Sequence, residues 1–269
     1  MPHLQDFKAL LFDVDGTLTN TQNTLTTQTI SALERLQAEG YIVGVCTGKS
    51  WVALQAKILP HFQDDSLHVT SGGSQICTKA GEIKWQKVID HEVAQQMGQA
   101  MLANHVEFLV IKHNAVYIPP SRLDHFVRHP FKVPFKLLDE IEDWSTSQFV
   151  IYNYTTEVEA VIKPFLPDLN LKLMPNHPSG GTLVDVTPVG VNKALGVQKW
   201  CKLMDMHPDE IIGFGDSEND LEFFTQVGYA VAMGNAKPSI KEIANRVIGH
   251  TDENGLARYL TTVLEGAPL

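Results

Sequence analysis

The chain has 269 residues, 43% of them hydrophobic, which is enough for one large domain or two modest ones. The formal net charge of -10, with no dense run of Lys and Arg, argues against a nucleic acid or an anionic membrane as partner. The three cysteines lack C-x-x-C spacing, and no apolar stretch approaches a membrane-spanning length. We therefore expect a soluble cytoplasmic protein, as a monomer or a homodimer, without a zinc site or a disulfide framework.

Strand and helix signals alternate over the first 84 residues. Apolar, β-branched runs predict buried strands, and an apolar face that ends at Gly40 predicts a helix. The predicted elements are a strand at Lys8–Phe12, a helix from Thr26 or Thr27 to Gly40, a strand at Tyr41–Cys46, a helix starting near Ser50 and a strand at Leu67–Thr70.

Residues 85–187 have a different character, with short strands, few helices and many prolines. Such a mixture favours a separate α+β domain over a continued doubly wound sheet. The predicted helices are Asp90–Ala103, Arg122–Arg128 and Glu157–Phe165, and the predicted strands are Glu107–Ile111, Ala115–Ile118, Phe149–Tyr154, Leu169–Met174 and Thr182–Val186.

Residues 188–269 return to the first pattern. Helices are predicted at Val191–Met204, Asn219–Val227, Pro238–Ala244 and Gly255–Leu264, and strands at Glu210–Gly215, Tyr229–Met233 and Val247–Ile248. The two outer stretches, 1–84 and 188–269, therefore predict one α/β core with a parallel sheet, into which the domain at 85–187 is inserted.

Two carboxylates, Asp13 and Asp15, follow the first predicted strand in the run Leu10-Leu11-Phe12-Asp13-Val14-Asp15-Gly16. Alternate residues of a strand share a face, so both can point into one site. Burying two such charges is costly unless a cation compensates them. By itself the motif is equally compatible with an Asp-rich turn at Gly16, and other parts of the chain have to decide.

Polar groups follow four predicted strands at their C-terminal ends, which is the ligand-binding edge of an open α/β sheet. These groups are Asp13 with Asp15, Thr47 with Gly48, Ser71 to Gly73, and Asp216 with Asp220. Mg²⁺ prefers oxygen ligands, and Asp13, Asp216 and the main-chain carbonyl of Asp15 are candidates for them. Asp220 is expected either to ligate the cation or to orient Asp216 and Asn219.

Two further features point to phosphate. Thr47 and Gly48 lie at a strand-to-helix turn, where a hydroxyl and free backbone N–H groups can hold a phosphate oxygen. Lys193 lies at the start of the first helix after the inserted domain, and a lysine can act as a point charge on a phosphoryl group. Alone, each is also explained by an ordinary turn or a solvated helix lysine.

Together these motifs resemble the haloacid dehalogenase superfamily, and within it the Cof-like phosphatases with a large α/β cap. The four matching motifs are Asp13-Val14-Asp15-Gly16-Thr17-Leu18, Thr47-Gly48-Lys49, Lys193 and Gly215-Asp216-Ser217-Glu218-Asn219-Asp220. The segment Val231-Ala232-Met233-Gly234-Asn235-Ala236 is also similar to one found in that family. The resemblance implies a Rossmann-like core, with residues 85–187 as the cap.

The resemblance also implies roles. Asp13 would be the nucleophile that forms an aspartyl-phosphate, and Asp15 the general acid and base. Thr47 and Lys193 would hold the transferring phosphoryl group, and Mg²⁺ would be bound by the set Asp13, Asp15, Asp216 and Asp220. The expected substrate contacts are Gly48, Lys49, Gly72, Gly73 and Asn219. Lys49 replaces a more usual arginine, and Ser71-Gly72-Gly73-Ser74 replaces a more usual Asn-Gly-Ala. Both departures lie where the non-reacting part of a substrate is expected to bind.

The expected activity is Mg²⁺-dependent hydrolysis of small phosphate monoesters such as sugar phosphates. A phosphomutase with the same aspartyl-phosphate and a non-catalytic sensor of a phosphorylated ligand are the alternatives. In the inserted domain, Asn176, His177 and Ser179 are candidate substrate contacts in a turn rich in Pro and Gly, although an exposed turn is the favoured explanation for them.

Overall fold

The computed structural model describes residues 2–128, 133–174 and 181–269. The chain forms two compact units. The first contains Met1–Lys49, Lys57–Trp85 and Asn192–Leu269, and the second contains Ser50–Ala56 and Gln86–Val191. The second unit therefore takes in the segments 50–56 and 188–191, which the sequence patterns place in the core.

A five-stranded parallel sheet is the centre of the first unit, with the order β14-β13-β12-β1-β2. Its strands are β1 (Ala9–Phe12), β2 (Ile42–Val45), β12 (Ile211–Gly215), β13 (Tyr229–Ala232) and β14 (Arg246–Val247). Every residue of β1, β12 and β13 is buried. Burial on both faces is what continuous apolar runs predict for a parallel sheet covered by helices.

Side-chain caps mark the start of two helices of the first unit. The helices of this unit are α1 (Thr27–Ala38), α6 (Lys193–Met204), α7 (Leu221–Phe224), α8 (Pro238–Ile243) and α9 (Gly255–Leu264). Thr26 caps α1 by accepting a hydrogen bond from the backbone N–H of Thr29, and Asn192 caps α6 through Leu195. The cap at Asn192 places Lys193 in the first turn of α6.

The strand β3 (Leu67–Thr70) belongs to a second, three-stranded sheet with β4 (Gln75–Thr78) and β5 (Ile83–Gln86). This corrects the expectation of one continuous parallel sheet, because β3 meets β2 in a single bridge between Cys46 and Val69. Beside that bridge, Nδ1 of the buried His68 accepts a hydrogen bond of 3.3 Å from the backbone N–H of Val45.

The hydrogen bonds of His68 specify a neutral ring. The hydroxyl of Ser66 donates to the carbonyl of Gln63, so the Ser66 oxygen accepts from Nε2 of His68 at 2.9 Å. Nδ1 must then be unprotonated to accept from Val45. Burial, aided by the charge of Lys79, lowers the pKa of His68 to about 3.

This histidine predicts a pH-dependent stability difference. Below its ordinary pKa of 6.5 the unfolded chain protonates His68, whereas the folded chain does not until about pH 3. The wild type therefore loses stability as the pH falls, and His68→Asn lacks this contribution. Relative to that variant, the wild type should lose about 2 kcal/mol between pH 7.5 and pH 5. Urea unfolding of both proteins at several pH values measures the gap, and a gap that stays constant would contradict the assignment.

The second unit is an α+β domain around a six-stranded sheet with the order β10-β11-β9-β6-β7-β8. All its strand pairs are antiparallel except β7 with β8. The elements are α2 (Trp51–Leu54), α3 (His91–Ala103), β6 (Phe108–Ile111), β7 (Val116–Ile118), α4 (Leu123–Arg128), β8 (Phe135–Leu137), β9 (Gln148–Ile151), α5 (Thr156–Ile162), β10 (Leu169–Met174) and β11 (Leu183–Pro188).

Several short elements differ from the predictions. The strands β4, β5 and β8 were not expected. β5 is mostly exposed and β8 directly follows Pro134, so neither of these two has a buried apolar run. β4 is largely buried, but its four residues mix polar and apolar side chains. Helix α7 is shorter than predicted because the chain tightens into turns before β13 begins at Tyr229. Among the described residues, none of the helices is both long and apolar enough to span a membrane.

Candidate active site

The strand ends of the first unit bring the predicted acidic residues together. Asp13 follows β1 and Asp216 follows β12, its neighbour in the sheet. Carboxylate oxygens of Asp13, Asp216 and Asp220 lie within 4.8 Å of one another. The C-terminal edge of the parallel sheet therefore carries a compact group of three acids, which we call the acidic group.

A buried lysine bridges two members of this group. Nζ of Lys193 donates to Oδ1 of Asp13 and to Oδ1 of Asp220, each at 2.6 Å. Burial alone would lower the pKa of Lys193, but the charges of Asp13 and Asp220 outweigh it and raise the pKa above its ordinary value. Lys193 is therefore a permanent positive charge beside Asp13.

Asp220 has protein partners on both oxygens. Besides Lys193, it accepts hydrogen bonds of 3.0 Å from the backbone N–H groups of Asp216 and Ser217 through Oδ2. The Asp220 side chain is fully buried, and Gly215 leaves room for it because a Cβ there would collide with it. Of the two roles that the sequence left open for Asp220, these bonds favour the orienting one.

The two carboxylate oxygens of Asp216 have different surroundings. Its Oδ2 lies against Gly16, where a Cβ would collide with the carboxylate, and Gly16 also has a positive φ of 76°. Glycine is thus required there for space as well as for the turn. Oδ1 of Asp216 is buried and has no hydrogen-bond partner among the described residues.

The electrostatics of the group suit a divalent cation. Burial and the neighbouring Asp220 raise the pKa of Asp216 to about 7, and burial likewise raises the pKa of Asp13 against the opposing charge of Lys193. Three acids with one lysine leave an excess of negative charge at a largely buried site. The candidate metal ligands in this group are all carboxylate oxygens, which a hard cation such as Mg²⁺ prefers. Oδ1 of Asp216 is one that has no hydrogen-bond partner among the described residues.

Asp15 lies apart from the acidic group. Its side chain is 52% exposed and forms an ion pair with Nζ of Lys49 at 3.0 Å. The Asp15 carboxylate is therefore not part of the cluster of three acids. The metal contact expected of Asp15 was through its main-chain carbonyl, and that contact stays a prediction. Lys49, which was expected to contact the substrate, forms this ion pair with Asp15.

The turn after β2 forms the next part of the site. The Thr47 side chain is buried, and its hydroxyl accepts a hydrogen bond of 3.2 Å from the backbone N–H of Lys49. Its carbonyl accepts from the backbone N–H of Gly72 at 3.0 Å, which ties this turn to the loop after β3. A Cβ on Gly48 or on Gly72 would enter open space, so both positions border a region that a ligand can reach.

The other residues predicted to contact the substrate have the following positions. A Cβ on Gly73 would collide with the backbone of Asn192, so Gly73 lets the loop after β3 approach the start of α6. Oδ1 of Asn219 accepts from the hydroxyl of Ser217. Asn176, His177 and Ser179 lie outside the described residues. One residue that was given no role, Asn235, contacts Asp216 and extends the site.

Comparison with known proteins identifies the family. The model for haloacid dehalogenase-like hydrolases matches residues 10–260. The chain is 26% identical to the Bacillus subtilis protein named 5-amino-6-(5-phospho-D-ribitylamino)uracil phosphatase YitU, over 93% of this chain and 95% of that protein. It is 22% identical to a Yersinia pestis protein named HMP-PP phosphatase, over 94% of each.

The fold is also similar to that of a solved structure. The crystal structure of TM0651 from Thermotoga maritima superimposes with a TM-score of 0.81 at 21% identity, covering 95% of this chain and 97% of that one. This likeness confirms the predicted α/β core with an inserted α+β domain. The chain therefore belongs to the haloacid dehalogenase-like hydrolase family, and it is one of that family's phosphatases, as the resemblance of the motifs implies.

Proposed function

We propose that the chain is a Mg²⁺-dependent phosphatase that hydrolyses small phosphate monoesters through an aspartyl-phosphate on Asp13. The observation that carries this proposal is the set of buried Asp13, buried Lys193 and partly buried Asp216 at the sheet edge. Phosphoryl transfer needs positioning and charge neutralisation more than elaborate covalent chemistry. A fixed carboxylate with a permanent cation beside it meets both requirements.

In the first half of the reaction, a carboxylate oxygen of Asp13 forms a bond to phosphorus, and the bond from phosphorus to the ester oxygen breaks. The departing oxygen takes its proton from Asp15. The position of Asp15 outside the acidic group and its partial exposure support this assignment, because its carboxyl is accessible to the departing oxygen. The Thr47 hydroxyl and the Lys193 ammonium hold and neutralise the transferring group.

In the second half, water attacks the phosphorus of the aspartyl-phosphate, and Asp15 accepts the proton of that water. The P–O bond to Asp13 breaks, which releases inorganic phosphate and restores the Asp13 carboxylate. Lys193 again neutralises the charge that develops on the phosphoryl oxygens.

Asp13 and Asp216 are the residues that would hold Mg²⁺, with the main-chain carbonyl of Asp15 and with Asp220 behind them. When bound, the cation would neutralise charge on the phosphoryl oxygens as a Lewis acid. Asp220 would act by orienting Asp216 and Lys193, since both of its oxygens already have protein partners.

The names of the relatives suggest where the substrate should be sought. YitU is named for a phosphorylated ribitylamino-uracil, and the Yersinia protein for HMP-PP. We propose that such phosphorylated metabolites, together with sugar phosphates, are the candidate substrates, and that the second unit acts as a cap that selects among them. Its place in the chain, between the Thr47 motif and Lys193, supports this role.

A panel of phosphate esters tests activity and substrate together. The panel contains p-nitrophenyl phosphate, the two relatives' compounds and hexose phosphates, each assayed for inorganic phosphate with Mg²⁺ and with EDTA. We expect release that requires Mg²⁺ and is fastest on one chemical class. Undiminished release in EDTA would reject the metal requirement, and isomerised hexose phosphate without net phosphate would show a mutase.

A further inference from the structure

Asn235 lies after the end of β13 and contacts three separate segments of the first unit. Its Nδ2 donates to the carbonyl of Gly16 at 2.8 Å and to Oδ2 of Asp216 at 3.1 Å. Its Oδ1 accepts from the backbone N–H of Thr251 at 3.0 Å. One side chain therefore joins the loop of Asp13 and Asp15, the loop of Asp216 and the loop before α9.

Chemistry fixes the direction of this amide. The backbone N–H of Thr251 can only donate, so the oxygen of the Asn235 side chain must face it. The NH₂ group then faces two acceptors, the Gly16 carbonyl and the Asp216 carboxylate, and each can take one of its hydrogens. Neither an apolar side chain nor a carboxylate at this position could satisfy all three partners.

The main chain around Asn235 supports the same contact. The backbone N–H of Met233 donates to the carbonyl of Gly215 at 3.0 Å, and that of Lys237 donates to the carbonyl of Asp216 at 3.1 Å. The segment 233–237 therefore runs alongside Asp216 and donates hydrogen bonds to both its backbone carbonyl and its Oδ2. Oδ1 is left as the oxygen of Asp216 without a partner among the described residues.

We propose that Asn235 is the positioning residue for the divalent cation, because it holds Oδ2 of Asp216 and thereby presents Oδ1. Its bond to Gly16 holds the loop that carries Asp13 in register with Asp216. The proposal rests on the proposed Mg²⁺ site, but its test needs no turnover. Residues that orient a metal ligand typically change metal affinity by about 10–100-fold when they are replaced.

Two variants test this role. Asn235→Leu is similar in size and removes every polar contact, and Asn235→Ala decides the question if the leucine variant does not fold. We expect both to raise the Mg²⁺ dissociation constant, measured by isothermal titration calorimetry without substrate, by about 10–100-fold. Asn170→Ala is the matched control, because it also removes a side-chain amide, one that donates a hydrogen bond of 2.9 Å to the carbonyl of Val191 in the second unit.

A second readout separates positioning from general destabilisation. In the Asn235 variants the Mg²⁺ concentration for half-maximal activity should rise, while the KM for p-nitrophenyl phosphate at saturating Mg²⁺ stays near that of the wild type. An Asn235 variant that is folded and binds Mg²⁺ as tightly as the wild type would overturn the proposal. If the wild type binds Mg²⁺ but hydrolyses no ester, the proposed function fails and the Asn235 assignment is still decided by calorimetry.

Discussion

Asp13→Asn should lower kcat by about 10⁴-fold or more, because an amide at this position cannot form the bond to phosphorus. The substitution keeps the shape of the side chain, and its Oδ1 can still accept the hydrogen bond from Lys193. It also removes one of three crowded carboxylates; burial, together with repulsion from Asp220, raises the pKa of Asp13. We therefore expect the metal-free variant to unfold at an unchanged or higher urea concentration.

A comparison with Asp15→Asn distinguishes the two acids. Acid-quenched reactions with a ³²P-labelled ester should show no phosphoenzyme for Asp13→Asn, whereas Asp15→Asn should form one slowly and retain it. The exposed Asp65 provides the matched control, since Asp65→Asn loses a carboxylate outside the site and should turn over like the wild type. A labelled phosphoenzyme on the Asp13 variant would rule out this nucleophile.

The core strands and the edge that carries the site could be predicted from local signals. The strands β1, β2 and β12 lie within one or two residues of their predicted bounds. They were predictable because each is a continuous apolar run in the interior of the unit. Their C-terminal ends must meet at one edge of a parallel sheet, so Asp13 and Asp216 were expected to be neighbours.

The pairing of charges could not be predicted in the same way. Lys193 and Asp13 are 180 residues apart in the chain, and no local pattern indicates that one lysine bridges Asp13 and Asp220. The Lys49 ion pair with Asp15 is hidden similarly, because a lysine in a phosphate-binding turn is equally expected to face the ligand. Such partners are decided by packing between loops.

Glycines show the same limit. Gly16 and Gly73 were interpreted as a turn residue and a substrate contact, and both do have positive φ angles. The structure adds that Gly16 makes room for the carboxylate of Asp216 and Gly73 for the backbone at Asn192. A sequence can indicate where the backbone turns, but the atoms that approach a missing side chain come from distant segments.

Lys193→Met should destabilise the metal-free protein by about 3–5 kcal/mol, the usual cost of removing one partner from a buried ion pair. Lys193 is buried, and without it Asp13 and Asp220 face each other with no cation between them. Urea unfolding in EDTA measures the loss. Lys202→Met, an exposed lysine of the same helix, is the matched control and should change stability little.

Two additions show that the loss comes from charge and not from packing. Asp13→Asn combined with Lys193→Met should recover part of the lost stability, because one of the uncompensated carboxylates is gone, and the two changes should not be additive. Saturating Mg²⁺ should also restore stability to the single variant, since a cation that binds only the folded chain stabilises it. Equal losses with and without Asp13→Asn would mean that the lysine stem, rather than its ammonium, stabilises the site.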